Sequence, residues 1–224
     1  MIQMKLSSFK KHSISRSNPP HKTQYSDYRP FLRRDFCCRC AYCNLKDSSI
    51  TTPFEVDHFI PRAIFSPKRI DLETDYNNLV YACKKCNNAK SSKFQGDITL
   101  DNPVNEQFYD PVITDYNLVF YRNEFGVIAS DDEKGKRQIV DLKLYRPIHA
   151  LGWLCEELSE TASRLEYIIS TEQNVERREK YKAAYDKINE KYRKLSRLFI
   201  ASYNDNKFDF PVASSNKVPV AAGK

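Results

Sequence analysis

Residues 54–63 read FEVDHFIPRA and residues 75–93 read DYNNLVYACKKCNNAKSSK, and the fold turns on how these two stretches meet. Residues 54–60 are apolar and aromatic and are stopped by Pro61, the pattern of a short strand. Residues 78–82 (NLVYA) form a second short apolar run. From Asn87 the chain runs NNAKSSK without a β-branched residue, and Asn87 or Asn88 is placed to cap a short helix. Strand, long connection, strand and helix predict a ββα unit.

Two cysteine pairs flank this unit. Cys40-Ala41-Tyr42-Cys43 and Cys83-Lys84-Lys85-Cys86 are both C-x-x-C, with 39 residues between them. Two such knuckles give four thiolates, enough to close a tetrahedral zinc site. Cys37-Cys38-Arg39-Cys40 has the same spacing, so the residues alone also allow Cys37 and Cys40 as the first pair. Asp57 and Asn87 offer oxygen ligands, which suit Mg²⁺ or Mn²⁺ better than zinc. His58 is able to take a proton near neutral pH.

EVDHFIP, YNNLVYACKKCN and the trailing Lys90 together resemble the signature of the HNH (ββα-metal) endonucleases, in the branch with paired zinc knuckles. The resemblance spans about residues 40–93. It implies a structural zinc on Cys40, Cys43, Cys83 and Cys86, since the family places a C-x-x-C just before the EVDH strand. It implies His58 as general base, Asp57 and Asn87 as ligands of a catalytic Mg²⁺ or Mn²⁺, and Asn78 as the residue bracing the loop. Asn87 stands where the family often has His, a substitution found in the zinc-containing branch. The implied reaction is hydrolysis of nucleic-acid phosphodiesters, leaving 5′-phosphate and 3′-hydroxyl ends. A weaker similarity of the later IVDLKLYRP region to compact bacterial HNH proteins of phage-defence loci implies an antiviral role.

Charge adds a candidate nucleic-acid contact. Residues 1–46 hold ten Lys or Arg against Asp27 and Asp35, a net of +8, while the whole chain of 224 residues is +7. Such an excess beside the first knuckle suits a polyanion's backbone, held without reading sequence. The same composition suits a solvated tail. Arg33, Arg34, Arg62 and Lys90 are the candidate phosphate contacts; Lys90, three residues after Asn87, reads equally as a surface lysine.

The remainder gives an α+β architecture in four parts: a basic arm over 1–36, a zinc-stapled ββα nuclease core over 37–110, a β-hairpin with a helical region over 111–205, and a flexible tail over 206–224. The hairpin is expected from 117–122 (NLVFYR) and 125–130 (FGVIAS). Helices are expected over 135–144, 147–170 and 172–203. In the last, Tyr181, Tyr185, Ile188, Tyr192, Leu195 and Phe199 recur every three or four residues and read as packing. Seven Cys, four of them in knuckle spacing, no secretory pattern at MIQMKLSSFKK and no apolar run near 18 residues point to the cytoplasm. Two other readings fit the same residues: a non-catalytic zinc module that binds nucleic acid, and a nuclease subunit active only with an ATPase docked on the helical region.

Overall fold

The computed structural model describes residues 7–204. The expected tail at 206–224 lies outside the described residues, as does Lys5.

The described residues begin with β1 (Ser7–Ser8) and lead to α1 (Arg29–Asp35), which carries Pro30 in its first turn. The ββα unit follows: β2 (Glu55–His58), a loop carrying the short α2 (Arg62–Phe65), β3 (Leu79–Ala82) and α3 (Lys84–Lys90). β2 and β3 pair antiparallel, with Asp57 opposite Val80 and His58 opposite Leu79. β3 is buried along its whole length, as a strand with both faces covered must be. α3 begins four or five residues earlier than a cap at Asn87 or Asn88 predicts, with Cys83 at the N-cap. The second knuckle explains the shift: a helical turn right after Cys83 brings the Cys86 sulfur back beside it, and Asn87 falls mid-helix.

The expected hairpin is present but short. β4 (Tyr121–Arg122) and β5 (Ile128–Ala129) pair antiparallel, and β1 adds to the outer side of β4. Gly126 turns the hairpin at φ +76, and a Cβ there would sit 2.6 Å from the Trp153 ring. Then come α4 (Glu133–Asp141), α5 (Pro147–Thr171) and α6 (Val175–Asn204). Asp132 caps α4 by accepting from the Gly135 amide at 2.7 Å. α5 and α6, joined by three residues, lie antiparallel and bury their apolar stripes against each other. Only their paired ends are buried in the body: Ile148, His149 and Gly152 of α5, and Phe199, Ser202 and Tyr203 of α6. The rest projects, since α5 alone is about 37 Å long.

One large core joins most of these elements, and a smaller one of Ile60, Phe65 and Leu72 lies under the α2 loop. Phe9, Tyr28, Leu32 and Phe36 pack with the knuckles, with β3, with Tyr116 and Phe120, and with Phe199 and Tyr203. Residues 7–36 are therefore an integral layer and not a free arm: burial of four large side chains outweighs the solubility of the cations between them. Among the described residues, no helix is long and apolar enough to cross a membrane.

Candidate active site

The two knuckles converge. The sulfurs of Cys40, Cys43, Cys83 and Cys86 all lie within 4.8 Å of one another, every one buried, and Cys43 Sγ is 3.8 Å from Cys83 Sγ. A tetrahedron of Zn–S bonds near 2.3 Å has edges of about 3.8 Å, so the four positions suit one zinc ion. Cys37 is exposed and Cys38 half-buried, both outside the cluster. Backbone geometry keeps them out: they hold φ +54 and +59, the turn that ends α1 and redirects the chain into Cys40. Burial opposes ionisation of Cys40, but hydrogen bonds from the other three thiols outweigh it and hold its thiol well below the usual range. Burial, with the bond to Cys40, pushes Cys43 well above it. Without a metal, Cys40 thus ionises ahead of Cys43; a divalent cation lets all four ionise.

The cysteine cluster places the start of α3 beside β2, and period-two alternation turns Glu55 and Asp57 toward that helix. Two rungs result. Asn87 donates from Nδ2 to Glu55 Oε2 at 2.7 Å. One helical turn on, Lys90 Nζ donates to Asp57 Oδ1 at 3.0 Å and to the His58 carbonyl at 2.7 Å. The Tyr42 hydroxyl, from within the first knuckle, donates to Asp57 Oδ2 at 2.6 Å. Burial pushes the Asp57 carboxyl up, and Lys90 and Tyr42 pull it only part of the way back. Glu55, Asp57 and Asn87 offer oxygen ligands of the kind a hard cation takes; Glu55 and Asn87 line an open cleft, while both Asp57 oxygens are engaged by Tyr42 and Lys90. A ligating carboxylate is ordinarily held by outer hydrogen bonds, and Tyr42 and Lys90 stand in that position while each Asp57 oxygen keeps a second lone pair.

His58 ends β2 on the opposite face. Its Nε2 lies 2.9 Å from the Glu73 carbonyl oxygen, and since a carbonyl only accepts, Nε2 carries the proton. Nδ1 is then the basic nitrogen. It has no partner among the described residues, yet it is not sealed from solvent, unlike both ring nitrogens of His149. The ring is held between Phe65, at 5.4 Å and fully buried, and Tyr25, at 4.7 Å. Asn78 closes the intervening loop: its Oδ1 accepts from the Ile60 amide at 2.8 Å and its Nδ2 donates to the carbonyls of Leu72 and Ile60 at 3.1 and 3.3 Å.

A knuckle-bound antiparallel pair, a helix facing it and an imidazole oriented at the strand end have a counterpart among family models. Residues 40–93 match the HNH endonuclease family. The match covers about a quarter of the chain and ends just past α3. No curated protein matches the chain, and no solved structure does.

Around this HNH domain the expected phosphate contacts fall in different places. Lys90 is fully buried and bonded within the domain, so it does not reach a surface where a phosphate lies. Arg62 pairs with Glu73 at 3.0 Å, and Arg33 with Asp47 at 2.6 Å; both keep more than half of their side chains exposed. Arg34 is exposed on α1, 3.5 Å from Asp35. The sequence reading passed over Glu55, although two-residue spacing from Asp57 puts it on the same strand face. It also passed over the open cleft of about 480 Å³ lined by Tyr25, Arg29, Thr52, Glu55, Lys84 and Asn87. Arg29 and Arg33 line an adjoining groove with Asp47, Phe54 and Tyr81. Arg29 and Lys84 were legible as cations, but their place at the mouth needs the fold.

Proposed function

We propose that this chain is a metal-dependent endonuclease whose HNH domain hydrolyses nucleic-acid phosphodiesters, with His58 as general base. The observation that carries the reading is the bond from His58 Nε2 to the Glu73 carbonyl. It leaves Nδ1 as the nitrogen that would take a proton from a water attacking phosphorus. Asn78 holds the Glu73-bearing loop against β2 and so keeps that carbonyl in place. Asp57, Asn87 and Glu55 would hold the catalytic Mg²⁺ or Mn²⁺. Such an ion, when bound, supplies charge stabilisation at the phosphoryl and leaving oxygens. Arg29, Arg33 and Lys84 form the positive border along which a phosphate backbone approaches the cleft, a contact that positions without reading sequence. The projecting α5–α6 pair, with Tyr167 and Val175 exposed at its far end, is where a protein partner would dock.

The test is incubation of the purified chain with supercoiled DNA, linear duplex, single-stranded DNA and RNA, in Mg²⁺ or Mn²⁺, with and without EDTA. Divalent-metal-dependent nicking or cleavage of at least one substrate, stopped by EDTA, is the expected result. Tight binding with no cleavage of any substrate would replace the enzyme with a zinc-dependent binding module.

A further inference from the structure

Arg122, on β4, is a buried cation with no carboxylate partner among the described residues. Its side chain is 2 % exposed. Nη1 donates to the carbonyls of Gly126 at 2.8 Å and His149 at 3.2 Å, Nη2 donates to the Cys43 carbonyl at 3.2 Å, and Nε has no partner among the described residues. Phe9 and Trp153 cover the guanidinium at 5.5 and 5.7 Å. The acidic residues on the nearest turn of α5 are engaged elsewhere: Glu156 with Arg39 and Glu157 with Lys11. Carbonyls contribute dipoles, and an enclosed full charge ordinarily requires an opposite charge as well.

The group in reach that is able to supply it is the cysteine cluster, one of whose members, Cys43, Arg122 touches through the backbone. Zn²⁺ with four thiolates carries a net charge of −2, likewise enclosed. We propose that Arg122 is the counter-cation of the zinc–tetrathiolate centre. A residue of the β-hairpin, 29 positions beyond the end of the HNH match at residue 93, is then part of the metal site. Zinc retention depends on the positive charge at 122 more than on the three hydrogen bonds. The inference is independent of whether the chain cleaves nucleic acid.

The experiment compares the full-length protein with Arg122→Lys, Arg122→Gln and Gly126→Ala. Zinc per chain is measured by mass spectrometry and zinc release by a chromophoric chelator. Lysine keeps the charge and loses the fork; glutamine loses the charge; Gly126→Ala perturbs the same pocket at constant charge. One zinc per chain is expected in the wild type. Arg122→Lys and Gly126→Ala should release it within about twofold of the wild-type rate, and Arg122→Gln at least about tenfold faster, the usual scale for an outer partner of a metal site. Release from Arg122→Lys as fast as from Arg122→Gln overturns the proposal, as does wild-type retention by Arg122→Gln or rapid loss from Gly126→Ala. Should Arg122→Gln yield no soluble protein, Arg122→Lys against wild type decides alone.

Discussion

Lys90 and Asp57 form an ion pair of 3.0 Å in the interior, with side chains 0 % and 7 % exposed. The pair ties the last turn of α3 to the end of β2, and a second bond from Lys90 to the His58 carbonyl fixes the strand where the base sits. Lys90→Met leaves an unpaired carboxylate in the interior and is expected to cost about 3–5 kcal/mol. Denaturant melts of the zinc-loaded protein check this. Unchanged stability with weakened nucleic-acid binding would instead make Lys90 a phosphate contact.

Asn78→Ala should be comparably informative about the loop. It strands the Ile60 amide and two carbonyls that the side chain now satisfies, at a cost of at least about 2 kcal/mol. The loop that carries Glu73 loosens with it, so cleavage should fall further than substrate binding. A variant that melts with the wild type would show that Asn78 bears no part of the loop.

Cys83→Ser removes one of the four sulfurs from a cluster that holds the start of α3. Structural zinc contributes on the order of 10 kcal/mol to small domains of this kind. The expected outcome is loss of stoichiometric zinc and loss of the cooperative melting transition. A melt identical to wild type would place the metal elsewhere.

His149 gives a pH dependence. Burial pushes its pKa down to about 3 from 6.5, so the folded state keeps it neutral while the unfolded chain protonates it below pH 6.5. The unfolded state therefore binds more protons, and stability falls with pH from about 6.5 downward at about 1.4 kcal/mol per unit from this group. Over pH 6.5 to 5 the loss is about 2 kcal/mol, and His149→Met should remove that part of the slope. Parallel acid slopes for the two proteins would contradict it.

The knuckles were legible because ligand spacing is written along the chain, and β2 and β3 because Pro61 and the short apolar runs bound them. The helix start was misplaced because an Asn pair is a local capping signal, whereas the turn after Cys83 is imposed by a metal site. Lys90 looked like a surface cation because sequence does not show that Asp57 faces α3. The first 36 residues looked like an arm because charge was counted and the burial of Phe9, Tyr28, Leu32 and Phe36 was not visible locally. Arg122 was unreadable for a related reason: its neighbours Cys43 and His149 come from distant segments.

The most direct measurement is single-turnover cleavage by His58→Ala against wild type on whichever substrate the wild type cuts, with binding measured alongside. Removing a positioned general base should slow cleavage at least about a hundredfold while zinc content, melting and binding stay near wild type. Cleavage by folded His58→Ala at the wild-type rate would contradict the assignment of His58 as the base.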